Sequence, residues 1–472
     1  MLPLDFTPTA RKEVWDFLLP RLESYYANTQ QVHVSPPMKV REIQSYSRAL
    51  PFDQPHSVEE VIEHVIHGLT TYSVHTPHPS YFGLYNPRSQ FSGIIADLIT
   101  ATFNPQLAAW SHAPFANEIE RYVIEEFGQK FGYPEASIDG TFCSGGAESN
   151  LTALLCALNE AFPEYDKHGI VGTEKEPVIY CSSESHHSLA KAARMAGLGA
   201  QSVREIAVDA NLRMNLEKLK EGVGQDRKEG RLPLMLVGTA GTTGAGAVDN
   251  LMDLSEIAQV EGLWYHVDAA YGGAAILSES HPSLFTGVEK SDSLTLDLHK
   301  WFSVPMGASL FLTRHRRILN QTFGIKTAYM PEDGDPNQVA DPYTHSAQWS
   351  RRFMGLKMYF PLAIHGWQGL QEMIEHQLEM GDSLRNMLTS KGWTIANRSP
   401  LPVVCVSHPD FPPELPLQEF VDQVNATGKA WISVYPIHGK PTIRVCIINY
   451  RTTETELRSL VEALETIRRN AL

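Results

Sequence analysis

The stretch Leu263-Trp-Tyr-His-Val-Asp-Ala-Ala-Tyr-Gly-Gly273 begins with an apolar run and ends in small residues. A short apolar run of this kind is typical of a buried β-strand, and Asp268 lies at its carboxyl end. Small residues after the acid would let a flat ligand approach the backbone closely. Taken alone, Asp268 fits a functional carboxylate and a structural one, either a helix N-cap or half of a buried ion pair, equally well.

Similar β-rich runs occur on both sides of this stretch, and helical patterns alternate with them. The other runs are 178–181, 202–208, 234–237, 293–296 and 308–312, and the helical candidates are 150–159, 187–196 and 252–260. Strands that alternate with helices form a mainly parallel sheet covered on both faces. We therefore predict an α/β fold, in which ligands bind beyond the carboxyl ends of the strands.

Charge and hydropathy exclude several classes of partner. The 472 residues include 39 Lys and Arg against 54 Asp and Glu, a formal charge of −15. An acidic chain lacks the basic surface that nucleic acids and anionic membranes bind, so neither partner is expected. No run approaches the roughly 18 apolar residues of a membrane span. The N-terminus meets proline and charge early, unlike a secretory signal.

The cysteines indicate a reduced, cytoplasmic protein. There are 5 of them, an odd number, and no C-x-x-C motif occurs. Their irregular spacing is typical of neither a disulfide framework nor a zinc site, so no metal is expected.

Changes in the residue pattern along the chain divide it into three parts. Residues 1–80 carry helical patterns broken by proline and predict an N-terminal helical arm that packs on something else. Residues 81–350 hold the alternating strands and helices and form the predicted large domain. Its last part, 323–350, is polar and rich in proline, which is typical of an active-site lid or of a disordered segment. Residues 351–472 predict a small α+β domain.

Three further segments carry candidate chemistry. Ser144-Gly-Gly146 precedes an amphipathic helix, where exposed N–H groups and the helix dipole favour a phosphate. His186 follows a strand and could stack on an aromatic ring. Lys300 follows the run 293–296 and stands between His299 and Trp301. An apolar setting disfavours the charged form of a lysine and so makes its amine a usable nucleophile. Each segment alone is more simply a tight loop, a structural histidine or a solvated lysine.

Together these segments supply what pyridoxal phosphate (PLP) requires. The cofactor needs a phosphate cradle, an acid for its ring nitrogen, a lysine for a Schiff base and a ring-stacking side chain. The chain offers them in the order phosphate loop, His186, Asp268, Lys300.

At this point the sequence resembles the PLP-dependent group II amino-acid decarboxylases, which act on aromatic amino acids, glutamate, cysteine sulfinate or diaminobutyrate. The resemblance covers about 78–464, and the motifs that carry it are His78-Pro-Ser-Tyr-Phe82, Gly241-Thr-Thr243, His266-Val-Asp-Ala-Ala270, His299-Lys-Trp301 and the segment 349–357. The HVDAA motif with a downstream HKW is the most specific of these signals.

The resemblance assigns a role to each matching position. Lys300 would form the Schiff base, Asp268 would keep the ring nitrogen protonated, and His186 would stack on the ring. The other predicted cofactor contacts are Gly146, Ala147, Thr243, Ala270, Asp297 and His299. Tyr81, Arg88 and Arg444 are candidate substrate contacts. Arg444 would face the substrate carboxylate or form an ordinary interdomain ion pair.

The resemblance also implies a reaction and an assembly. An L-amino acid would lose CO₂ and then be protonated at Cα by a lid tyrosine, for which Tyr329 is preferred over Tyr343. The fold would be that of the aspartate-aminotransferase-like PLP enzymes, in a homodimer clasped by the N-terminal arm. An aminotransferase, an oxygen-using aldehyde synthase and a non-catalytic binding protein remain alternatives. The substrate stays open, since Arg88 suggests an acidic side chain and the tyrosines suggest an aromatic one.

Overall fold

The computed structural model describes residues 4–325, 339–411 and 414–471. The strands are β1 Asp139–Cys143, β2 Pro177–Ser182, β3 Val203–Ile206, β4 Leu232–Thr239, β5 Trp264–Asp268, β6 Ser293–Leu296, β7 Ser309–Thr313, β8 Thr394–Ile395, β9 Val403–Ser407, β10 Ser433–Ile437 and β11 Lys440–Cys446. The helices are α1 Pro8–Asn28, α2 Val40–Tyr46, α3 Val58–Thr71, α4 Phe91–Phe103, α5 Pro114–Lys130, α6 Gly146–Ala161, α7 Tyr165–His168, α8 Ser188–Met195, α9 Leu216–Lys228, α10 Leu251–Glu261, α11 Ile318–Phe323, α12 Leu356–Ser390, α13 Leu417–Ala426 and α14 Glu454–Asn470.

A seven-stranded sheet in the order β1-β7-β6-β5-β4-β2-β3 forms the centre of the molecule. The pairs from β3 to β6 are parallel, and β7 runs antiparallel to both of its neighbours. Successive strand residues face opposite layers of helices: Leu236 packs in one hydrophobic cluster, and Met235 and Val237 pack in another. The α/β fold with a mainly parallel, doubly covered sheet is therefore confirmed.

A second sheet of four antiparallel strands, β10-β11-β9-β8, follows in the chain. Its own cluster of buried side chains includes Phe420 from α13 and Leu460 from α14. Thr453 caps α14 and forms a capping box with Glu456. The α+β character expected for the C-terminal part is confirmed, while the boundaries at 80 and 350 stay predictions.

The predicted strands differ from the observed ones mainly at their ends and in three strands that were not predicted, and the helices α4 and α9 were not predicted either. β1 was not predicted, because the residues from Thr141 onward were interpreted as a loop before a helix. The short β8 and the edge strand β10 were also not predicted, and β10 contains Pro436. The long helix α12 is interrupted at Gly366, where φ is 63°.

The N-terminal segment is helical, as the sequence predicted. The Ser57 hydroxyl accepts a hydrogen bond from the Glu60 N–H at 3.1 Å and caps α3. An ion pair between Arg21 of α1 and Glu63 of α3 joins these two helices. Within the described ranges, no helix is long and apolar enough to cross a membrane.

Candidate active site

The loops that follow β1, β2, β4, β5 and β6 meet at one edge of the large sheet. Because the parallel strands all end there, the residues after them are brought together although they lie far apart in the chain. This edge holds the loop Ser144–Gly146, His186, Thr243, Asp268 and the segment 297–300.

Lys300 is held by an acid at this edge. Its Nζ lies 2.8 Å from Asp297 Oδ2 and 6.0 Å from the centre of the Tyr85 ring. Burial by itself would raise the pKa of Asp297, but the positive charges of Lys300 and His299 outweigh it and lower that pKa. The other oxygen, Asp297 Oδ1, is buried and has no hydrogen-bond partner among the described atoms. A buried unpaired oxygen of this kind fits a site that a polar ligand completes.

The start of α6 forms a tight cradle beside this pair. A Cβ atom on Gly146 would lie 3.0 Å from Asp297 Oδ2 and 3.3 Å from the Ala270 Cβ, so only glycine leaves the space open. His299 is 7% exposed, and its Nδ1 lies 2.8 Å from the Ala308 carbonyl oxygen, which fixes the ring. Ala147 in the first turn is exposed. The helix N-terminus and the open space suit a phosphate.

Asp268 ends β5 and receives a hydrogen bond on each oxygen. The Ala270 N–H donates to Oδ1 at 3.1 Å, and Asn150 Nδ2 donates to Oδ2 at 2.9 Å. The carboxylate is 6% exposed. Asn150 was not predicted, because an asparagine inside a helix gives no signal of function in a single sequence.

His186 lies in the loop between β2 and α8. Its Nδ1 is 3.2 Å from the Ser188 backbone nitrogen, so that N–H holds the ring. Partial burial is the largest cause that lowers the pKa of His186; Asp268 opposes the shift, and Lys300 adds to it. The charges of Asp268 and Lys300 therefore both act on the His186 ring.

Thr243 and Arg444 take part in a group of hydrogen bonds to backbone carbonyl oxygens near the same edge. The Thr243 carbonyl oxygen accepts hydrogen bonds from the Tyr85 hydroxyl at 2.8 Å and from an Arg444 nitrogen at 2.7 Å. Arg444, 4% exposed, also donates to the Gly244 and Gly83 carbonyls, at 2.9 Å each. The described hydrogen bonds of Arg444 therefore go to backbone oxygens and, at 3.4 Å, to the Ser433 hydroxyl, and none of them goes to an acid.

The other two candidate substrate residues are buried. Tyr81 is 3% exposed, accepts the Leu84 N–H at 3.0 Å and packs on Trp431 with ring centres 5.4 Å apart. The Arg88 guanidinium lies over the Tyr26 ring at 3.6 Å and donates to the Tyr26 carbonyl at 2.6 Å. Arg88 thus contacts α1, and substrate binding by either residue stays a prediction.

Of the two lid tyrosines, the structure describes Tyr343 alone. Tyr329 lies outside the described residues. Tyr343 is 7% exposed; its N–H donates to the Ala108 carbonyl at 3.1 Å and its ring lies 4.9 Å from that of Trp349.

The comparison that decides the family is with the pyridoxal-dependent decarboxylase conserved domain, which matches residues 42–408. The chain belongs to that family. It is 29% identical over 404 residues to an aromatic-L-amino-acid decarboxylase of Bacillus atrophaeus, covering 83% of this chain and 82% of that protein. It is 30% identical over 372 residues to an L-aspartate decarboxylase of Metarhizium robertsii, covering 79% of this chain and 73% of that protein.

A solved structure has the same fold. Oryza sativa TDC, crystallised with PLP and tryptamine, superposes with a TM-score of 0.93 at 22% identity, covering 100% of this chain and 99% of that chain. The family match makes the chain a PLP-dependent amino-acid decarboxylase, a lyase, and the superposition confirms the aspartate-aminotransferase-like fold that its sequence predicted. The orphaned Asp297 oxygen and the glycine cradle at α6 fit the cofactor.

Proposed function

We propose that this enzyme converts an L-amino acid into the corresponding amine and CO₂, with Lys300 as the residue that carries PLP. The observation that supports this most directly is the placement of Lys300 and Asp297, at 2.8 Å, at the sheet edge where Asp268 also ends its strand. PLP, when bound, supplies an electron sink for the electron pair left at Cα.

Each of the predicted contacts has a task in this proposal. Gly146, Ala147 and His299 hold the phosphate at the N-terminus of α6. His186 and Ala270 flank the ring, and Thr243 and Asp297 line the site. Asp268 holds a proton on the ring nitrogen, because a carboxylate next to that nitrogen favours its protonated form. Tyr329 gives a proton to Cα after CO₂ has left.

The contacts of Arg88 and Arg444 favour positioning roles over direct substrate contact. Arg444 joins the segments of Gly83 and Thr243–Gly244 to β11, and these segments border the site. Arg88 fastens α1 to the segment before α4. Neither contact distinguishes an aromatic from an acidic substrate. Aromatic L-amino acids and L-aspartate, for which the two relatives are named, are therefore both candidates.

We also propose that the enzyme is a cytoplasmic homodimer. Helices α1, α3 and α4 each leave a stripe of apolar side chains exposed, and a second copy of the chain is the partner that the family resemblance implies. The cysteines Cys143, Cys156, Cys181, Cys405 and Cys446 are all buried free thiols, which suits a reducing compartment.

Replacement of Lys300 tests the proposed function. Lys300→Ala should remain folded but lose CO₂ release from a panel of L-amino acids by at least about 1000-fold, or about 4 kcal/mol of barrier. Borohydride reduction followed by peptide mapping should place the pyridoxyl label on Lys300 in the wild type. The control is Lys391→Ala at an exposed lysine, which should leave both results unchanged. A label on another lysine, or CO₂ release by Lys300→Ala near the wild-type rate, would refute the assignment.

A further inference from the structure

A buried chain of polar side chains lies behind Asp268, and nothing in the function described above uses it. Its members are Asn150, His266, Ser293 and Trp264, from α6, β5 and β6. Asn150 is 1% exposed, and His266 and Ser293 are 0% exposed. Because these groups are buried, their hydrogen bonds must be satisfied by one another and by neighbouring protein groups.

The Asn150 amide bridges Asp268 and His266. Its Nδ2 donates to Asp268 Oδ2 at 2.9 Å and to the Ser188 hydroxyl at 2.8 Å. An ionised carboxylate can only accept hydrogen bonds, so the amide nitrogen must face it and the amide oxygen must face away. That oxygen lies 3.1 Å from His266 Nε2, and the Thr295 hydroxyl donates to it at 2.8 Å.

These contacts fix the tautomer of His266. The Asn150 oxygen can only accept, so Nε2 must carry the proton. Burial lowers the pKa of His266 to about 4, although the charge of Asp268 opposes the shift, so the ring is neutral at physiological pH. Nδ1 is then an acceptor for the Ser293 hydroxyl at 2.8 Å, and Ser293 in turn accepts the Trp264 indole N–H at 2.9 Å.

All four donors therefore point the same way. Trp264 donates to Ser293, Ser293 to His266, His266 to Asn150, and Asn150 to Asp268. Hydrogen bonds aligned in one direction polarise one another, and the effect is strongest where water is absent. A donor at the end of such a chain favours the charged form of the carboxylate that receives it.

We propose that this relay, Trp264–Ser293–His266–Asn150, is a positioning device that keeps the shared proton on the cofactor's ring nitrogen rather than on Asp268. The inference rests on the proposed pairing of Asp268 with that nitrogen. The Ala270 N–H on Oδ1 and the Asn150 N–H on Oδ2 occupy both carboxylate oxygens and hold the group in one orientation. A lone pair of the same carboxylate stays available for the ring.

Two measurements on the wild-type holoenzyme and its Asn150→Ala variant test the relay. Nitrogen-15 NMR of the His266 ring should show protonated Nε2 and bare Nδ1 in the wild type. With nitrogen-15-labelled PLP, the ring nitrogen should be protonated in the wild type and should lose that proton in part in Asn150→Ala. A His266 ring protonated on Nδ1, or a ring nitrogen that is as protonated in Asn150→Ala as in the wild type, would overturn the proposal.

Kinetics of graded variants separate the relay from a purely structural role. Asn150→Ala should lower kcat by about 10-fold or more and leave KM within about 3-fold, since ring protonation acts after substrate binding. Trp264→Phe, which removes only the far donor, should lower kcat by about 2-fold to 3-fold. The control Tyr133→Phe removes another buried hydroxyl, 2.7 Å from Ser291, and should change neither kcat nor the nitrogen signals.

These readouts also separate failure of the relay from failure of the proposed reaction. The nitrogen signals do not depend on whether the product is an amine or an aldehyde. A wild-type ring nitrogen that is not protonated would refute the Asp268 pairing itself. A protonated nitrogen with kcat equally lowered in all variants, Tyr133→Phe included, would reduce the relay to a stability effect and overturn it.

Discussion

At the scale of single residues, each of the two candidate reactive groups is held by a neighbouring polar group. Lys300 faces Asp297 at 2.8 Å, and Asp268 is held from both sides by Ala270 and Asn150. Asp268 ends β5, Lys300 follows β6 and Asn150 lies in α6, so the placement of these groups relative to one another depends on how the sheet and the helix pack. Because these groups are held in place before the reaction, their rearrangement adds little to the free-energy barrier.

The two lid tyrosines allow a prediction at this scale. Tyr329→Phe keeps the ring and removes the proton, so amine formation should fall by about 100-fold while substrate binding changes little. Part of the flux should divert to aldehyde, ammonia and peroxide, because the electron pair at Cα persists long enough to meet oxygen. The measurement quantifies amine and peroxide together in one reaction mixture.

Tyr343→Phe is the matched variant. Tyr343 is 7% exposed and packs against Trp349, so removing its hydroxyl should affect stability more than product ratio. If Tyr343→Phe alone abolishes amine formation, the assignment of the proton donor is wrong. If neither variant changes the ratio, the proton comes from another group and the lid only shields the site.

The sequence indicated candidate reactive residues, which the structure brings to one sheet edge, but not all of the residues that hold them. Lys300 and Asp268 lie in motifs whose residue types follow directly from the chemistry. Asn150 could not be predicted, because its function depends on His266 and Thr295, 116 and 145 positions away. The contacts of Arg444 with three backbone carbonyls were equally hidden, since a single sequence does not show which oxygens a fold leaves unpaired.

At the scale of elements, β10 packs against the loop after β4 because Gly244 in that loop leaves room for the Tyr435 ring. A Cβ on Gly244 would lie 1.9 Å from Tyr435 Cζ, and the Tyr435 hydroxyl donates to Glu184 Oε2 at 2.7 Å. This contact joins the four-stranded sheet to the loop that carries His186. The edge strand β10 was missed from the sequence because Pro436 weakens its pattern, although a proline is tolerated at a sheet edge.

Gly244→Ala should therefore destabilise the protein by about 1–3 kcal/mol, because the added methyl group pushes Tyr435 out of place. In a Tyr435→Ala background the same change should cost less than about 1 kcal/mol, since the clash is gone. Urea unfolding of the four members of this double-mutant cycle measures the difference. Equal costs in both backgrounds would show that Gly244 is needed for another reason.

At the scale of the whole molecule, three helices present apolar side chains to solvent at helical spacing. The exposed residues are Trp15, Leu19 and Leu22 on α1, Val61, Val65 and Leu69 on α3, and Phe91, Ile94 and Leu98 on α4. Stripes of this kind mark interaction surfaces when they are contiguous. The sequence predicted that the N-terminal arm packs on something else, and the stripes on α1 and α3 are the surfaces it would use.

A homodimer predicts that charge on these stripes will separate the subunits. Burial of one such side chain contributes about 1.5–3 kcal/mol, and a symmetric interface counts each substitution twice. Leu69→Glu and Leu98→Glu should each shift the wild-type dimer towards monomer in sedimentation velocity at micromolar concentration. The control is Val260→Glu on α10, at a valine that is 82% exposed and lies outside these stripes, which should sediment like the wild type. A monomeric wild type would refute the homodimer, and variants that stay dimeric would place the interface elsewhere on the molecule.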